Sequence, residues 1–241
     1  MSTDNNWSGE LAKAIFELLI PNDFKDELKK QSNTMWVLDI EAASYPWELL
    51  QDSLVNKPLC CNAGMIRQLQ TKFYRNKISD VIGKKALIVG DPDLNGFPHA
   101  QQLPGAFKEA NLVALLLDQY GYEMPNNCFN KSSTQIIKAL FKDEYKIIHL
   151  AGHGLFDKKN PQASGMLIGN GIFLSTREIG QMSKVPEMVF VNCCFLGKSD
   201  DVSEKLYNNR YKLAANIGTQ LIQNGVKVVI AAGWAVDDAA A

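Results

Sequence analysis

His153, Cys193 and Cys194 are the residues in this chain best suited to make and break bonds at a carbonyl carbon. Gly152-His153-Gly154 follows the apolar run Lys146 to Ala151, and Cys193-Cys194 follows the apolar run Glu187 to Asn192. Both runs read as buried strands of a parallel sheet, and such sheets form sites outside the carboxyl ends of their strands. Neighbouring strands lie about 4.8 Å apart. An imidazole and a thiol at two adjacent strand ends would then make a base and a nucleophile: the imidazole takes the thiol proton and the thiolate attacks a carbonyl. Gly152 and Gly154 would let the backbone turn around His153, and the Gly154 amide could join that of the nucleophile in an oxyanion hole. Spacing alone leaves open which cysteine reacts. It also leaves open a plainer reading, with His153 a turn residue and both cysteines inert core. His149 falls inside its strand and reads as a core histidine, His99 as a loop residue, and Cys60, Cys61 and Cys128 as structural.

The elements around these residues alternate. Lys85 to Gly90 reads as a strand stopped by Gly90, Asp91 and Pro92. Pro104-Gly105 opens a helix over about 106–120, with Leu112, Leu115, Leu116 and Gln119 at helical spacing and Gly121 after it. Ser132-Ser-Thr-Gln135 is a capping-box pattern ahead of Ile136, Ile137, Leu140 and Phe141. A helix over 211–224 turns Leu213, Ile217, Leu221 and Ile222 inward, and Val226 to Ala232 is a further strand. Alternating strands and helices predict an α/β fold with right-handed crossovers on a parallel sheet. Asn170-Gly171 between apolar flanks predicts a small hairpin over 166–174. The first 80 residues give weaker signals: a helix over 11–20 stopped by Pro21, a strand over 35–40, and a helix start at Pro46 to Leu50. The polar segment from Gly197 to Arg210 reads as a solvated loop, or as a loop that must move or be cut before substrate enters.

Composition excludes several classes. Twenty-five Lys and Arg stand against 26 Asp and Glu, a net charge of -1, so no basic nucleic-acid surface is expected. No apolar run approaches a membrane span. Met1 to Gly9 is polar and lacks a leader pattern. Five cysteines, four of them in adjacent pairs, give no disulfide framework and fit a reducing cytoplasm. No CxxC spacing exists, so no structural zinc site is expected; no cofactor is expected either. The stretch from Leu87 to Gly96 follows a strand but is neither GxGxxG nor GxxxxGK[ST], which argues against a nucleotide-binding domain.

Several strings together resemble the CHAT domain, the caspase- and separase-like cysteine peptidase domain often joined to tetratricopeptide repeats. These are His149 to Asp157, Ser164-Gly165, Val189 to Gly197 and Gly225 to Asp238, with Tyr45 to Leu50, Ala86 to Pro92 and Leu103 to Ala106 upstream. The resemblance covers about 15–241. It implies a caspase-like three-layer sandwich with a mostly parallel central sheet. Residues 1–83 would be an N-terminal pseudo-caspase-like or accessory part, and 84–241 a caspase-like catalytic core. It implies that Cys194, followed by Phe195, Leu196 and Gly197, is the nucleophile and His153 the general base or acid, with the amides of Gly154 and Cys194 as oxyanion donors and no metal. Asn192, two residues before Cys194, would line the pocket for the substrate side chain before the cut, and Asp237 and Asp238 could add charge there or cap a helix. Asn192 is neutral, and the matched strings hold no Arg to demand an Asp; basic and apolar preferences stay open. The resemblance further implies a bacterial protease with a protein or peptide substrate, and regulatory repeats or domains elsewhere in the full-length protein. The competing reading is a catalytically silent scaffold or sensor. The family pattern runs on past Asp238, so this chain is expected to be a piece of a longer protein, weakly active or inactive alone and inclined to self-associate.

Overall fold

The computed structural model describes residues 8–30, 32–54, 56–155, 164–195 and 210–232. The chain divides into two compact units, 1–71 and 72–241.

In the first unit, Ser8 caps helix α1 (Gly9–Leu19) by accepting from the Leu11 amide. Pro21 separates it from α2 (Asn22–Lys29). Two short strands, β1 (Thr34–Leu38) and β2 (Met65–Leu69), pair in parallel from Thr34↔Met65 to Leu38↔Leu69. Phe16, Ile20, Leu50 and Leu59 form a small core, against which Trp36 and Trp47 pack with ring centroids 4.8 Å apart. Pro46 to Leu50, expected to open a helix, makes only a single 3-10 turn over Trp47–Leu49.

The second unit carries the candidate site. Five strands lie parallel in the order β4 (Cys128–Phe129), β3 (Ala86–Gly90), β5 (Ile147–Leu155), β8 (Met188–Phe195) and β9 (Val228–Ala231). Beyond Gly90 the edge of β5 is free, and β6 (Gly165–Leu167) pairs there antiparallel, Gly154 opposite Met166. With β7 (Phe173–Ser175) it forms the hairpin expected from Asn170-Gly171, and Gly171 takes φ +70° in its turn. Among the described residues this makes a seven-stranded, mostly parallel sheet.

Helices cover both faces. Helix α3 (Pro104–Gln119) lies on one face, so close that a Cβ on Gly90 would sit 2.2 Å from the Ala110 Cβ. Helices α4 (Ser133–Leu140), α5 (Thr176–Gly180) and α6 (Arg210–Gln223) belong to the other side. There Leu87, Val89, Ile148, Leu150, Val189, Val191 and Cys193 form one core with Ile136, Leu140, Ile217 and Leu221. The α/β, three-layer expectation holds. The expected capping box forms at Ser132 with Gln135, and a second, not singled out in the sequence, forms at Ser175 with Glu178. In α3, Leu112, Leu115 and Leu116 are exposed and the small Ala106 and Ala110 face the sheet.

Asp237, Asp238 and the segment 197–209 lie outside the described residues. Among the described residues no helix is long and apolar enough to cross a membrane, and no three His, Cys, Asp or Glu residues gather to hold a metal.

Candidate active site

The two strands with reactive residues are neighbours, and they run further than the sequence suggests. Strand β5 does not stop at Ala151 but continues through Gly152, His153 and Gly154, and β8 continues through Cys193 and Cys194. Their register pairs Ala151 with Asn192, Gly152 with Cys193, His153 with Cys194 and Gly154 with Phe195. His153 and Cys194 are therefore directly opposite on adjacent parallel strands. Side chains alternate between faces along a strand, so positions 149, 151 and 153 of β5 share a face with 190, 192 and 194 of β8. This is the α3 face. Cys193 belongs to the opposite face, where it is 6 % exposed and part of the core, with its Sγ 3.8 Å from the Leu150 carbonyl.

Gly152 and Gly154 do not make a turn. They permit close approach instead. A Cβ at 152 would meet the Met166 side chain at 2.7 Å, and one at 154 would lie 3.0 Å from the Cys193 carbonyl oxygen and 3.1 Å from its Cβ. Gly154 thus lets β5 sit tightly against β8 beside the candidate nucleophile.

His153 is half-buried, and its Nε2 lies 2.6 Å from the backbone carbonyl of Gln101, in the loop between β3 and α3. A carbonyl oxygen only accepts, so Nε2 carries the proton in the neutral ring and Nδ1 keeps its lone pair. Nδ1 is then the nitrogen free to act as a base. His149 is four residues away on the same face, but on a strand four residues span about 13 Å, too far for the two rings to share a metal. His149 is buried, as expected, and stacks on Phe190 at 5.0 Å.

A carboxylate the sequence did not single out lies beneath the site. Glu109 of α3 brings Oε1 within 2.9 Å of His149 Nε2, although out of line with the ring N–H, so the pair makes a close polar contact without an aligned hydrogen bond. Its Oε2 accepts from Asn192 Nδ2 at 2.7 Å. Glu109 therefore touches both strands and ties up the amide of Asn192. In the sequence it is one acidic residue of a helix, beside Lys108, with no local signal of a buried role. Gln101 was equally hidden, because its contact is made by backbone.

The sequence profile of the CHAT domain matches residues 9–241. The chain belongs to the CHAT family. Comparison with curated proteins gave no match. CHAT domains are related to caspase-like peptidases, and the three-layer sandwich of the second unit is consistent with that relationship. Within this CHAT domain the matched region includes both strand ends and the hairpin that follows β5.

Proposed function

We propose that this CHAT protein is a cysteine endopeptidase working through His153 and Cys194. The observation that carries the reading is the register of β5 and β8, which sets His153 opposite Cys194. The Gln101 carbonyl at His153 Nε2 supports it by leaving Nδ1 unprotonated. In the first step Nδ1 takes the Cys194 thiol proton and the sulfur attacks the scissile carbonyl carbon. The amides of Gly154 and Cys194 hold the oxyanion. Collapse breaks the C–N bond, and the leaving amine takes the proton from the imidazolium. Water, deprotonated by His153, then hydrolyses the thioester. No cofactor or metal enters these steps.

The substrate is a protein or peptide. Asn192 lines the pocket for the side chain before the cut, with Asp237 and Asp238 as further candidates. The setting is a bacterial cytoplasm, with residues 1–83 as the accessory part of the domain, 84–241 as the catalytic core, and regulatory repeats or domains beyond it. The test is labelling with a panel of peptidyl acyloxymethyl ketones, read by mass spectrometry. Cys194 should be labelled in the parent protein and in Cys193→Ala, and not in His153→Ala. No labelling of Cys194 by any peptide, here or in a longer chain, would leave the silent scaffold as the better reading.

A further inference from the structure

Asp91 stands where β3 ends, and it is unusual in three respects. It is 5 % exposed although acidic, its backbone takes φ +44°, and one carboxylate gathers the two ends of a loop. Its Oδ1 accepts from the Leu103 amide at 2.7 Å and from Gln102 Nε2 at 2.9 Å. With its amide nitrogen turned toward Asp91, Asn130 donates to the Asp91 carbonyl at 2.6 Å and to Oδ2 at 3.1 Å. The Asp91 N–H donates to the Ala151 carbonyl at 3.0 Å, two residues before His153. Gln102 adds a bond from Nε2 to the Pro92 carbonyl at 3.0 Å and accepts from the Leu94 amide at 2.9 Å.

These bonds do not serve helix capping alone. They fix Gln102 and Leu103, and the residue immediately before them is Gln101, whose carbonyl meets His153 Nε2 at 2.6 Å. No side chain can replace that carbonyl, so its position depends on whatever holds the loop. A buried carboxylate and a left-handed backbone are both costly, and such features persist where the surroundings over-determine them. Here they set the loop against β5.

We propose that Asp91 is a positioning residue: by pinning the loop 91–103 it places the Gln101 carbonyl that keeps His153 protonated at Nε2. This rests on the reading of His153 as the base. It adds a residue that acts through a backbone carbonyl.

The test separates backbone strain from the carboxylate. Asp91→Gly relieves the φ +44° conformation and removes the tether; Asp91→Asn tolerates the conformation and keeps the Oδ1 acceptor. The three histidines give resolvable imidazole signals in a long-range 1H–15N correlation of the full chain, assigned with His99→Gln and His153→Ala. The parent and Asp91→Asn should show His153 as the Nε2–H tautomer. Asp91→Gly should show a mixture of tautomers and a Cys194 alkylation rate lower by about 10²-fold, the scale of an ångström-sized misplacement. Gln102→Ala, at an exposed position, should move both readouts the same way by a smaller amount. A folded Asp91→Gly protein with the parent's tautomer overturns the proposal. If Asp91→Gly does not fold, an unchanged His153 signature in Gln102→Ala overturns it. The tautomer readout needs no peptidase activity, so it stands even if Cys194 reacts with no peptide.

Discussion

Adjacent positions along a strand belong to opposite faces, so the chemistry of Cys193 and Cys194 should differ. Cys193 is core, so Cys193→Ala should cost about 1 kcal/mol of stability and leave Cys194 labelling intact, which denaturant titration and mass spectrometry read together. Burial pushes the Cys128 thiol up to about 11. Partial burial, with Cys61 alongside, pushes Cys60 up to about 11 as well. Both should stay unalkylated by iodoacetamide at pH 7.5 in the folded protein, while Cys194 reacts. The two glycines beside His153 give a complementary prediction. Gly154→Ala drives a methyl group to 3.0 Å from the Cys193 carbonyl, so it should cost about 1–3 kcal/mol and depress Cys194 labelling by parting β5 from β8. At this scale the sequence was readable for side-chain chemistry and not for backbone chemistry. His153 and Cys194 announce themselves by type, whereas the Gln101 carbonyl could be any residue's. The glycines looked like turn formers, but a strand that needs close approach uses the same residue.

Helix α3 is the element that brings most of the site under one cover. Its contact with the sheet is made by Ala106 and Ala110, and its charged inner residue, Glu109, reaches both His149 and Asn192. Truncation as Glu109→Ala would remove the acceptor of the part-buried Asn192 amide and the carboxylate beside the buried His149 ring. It should destabilise the second unit by about 2–4 kcal/mol in urea titration, with Glu109→Gln costing less because one hydrogen bond can survive. The strands and long helices were legible because apolar runs, the Ser132 capping box and Asn170-Gly171 are local signals. The orientation of α3 was not. Its leucines at helical spacing are exposed, at 66 % for Leu112 and 63 % for Leu115, because tight packing on Gly90 selects small residues for the inner face. Strands β2 and β4 were missed for a related reason: they are short, and what makes them strands is a partner far away in sequence.

Across the second unit, ion pairs link the amino ends of the strands to one another and to neighbouring loops. A hydrogen bond from Lys85 holds the Asp143 carboxyl below its ordinary value, helped by Asn126, and Lys227 does the same for Asp80. A depressed carboxyl contributes stability that is present above its unfolded value near 3.9 and lost as pH falls through the folded value. Thermal unfolding should therefore lose midpoint as pH drops below about 4. Asp143→Asn should flatten that acid limb while lowering the midpoint at pH 7. The alternation of strands and helices, read along the whole chain, was enough to give the layered architecture. It could not give the strand order that makes β5 and β8 neighbours, since order is decided by packing between elements distant in sequence.

That neighbour relation is the central claim, and the pH dependence of Cys194 alkylation tests it most directly. Iodoacetamide rates at Cys194 would be measured by mass spectrometry from pH 5 to 9 in the parent protein and in His153→Ala. If the two residues act as a pair, the parent should react well at pH 6 to 7, where an ordinary thiol near 8.5 is almost wholly protonated, and His153→Ala should react only as an ordinary thiol does. Superimposable curves for the two proteins would contradict the account.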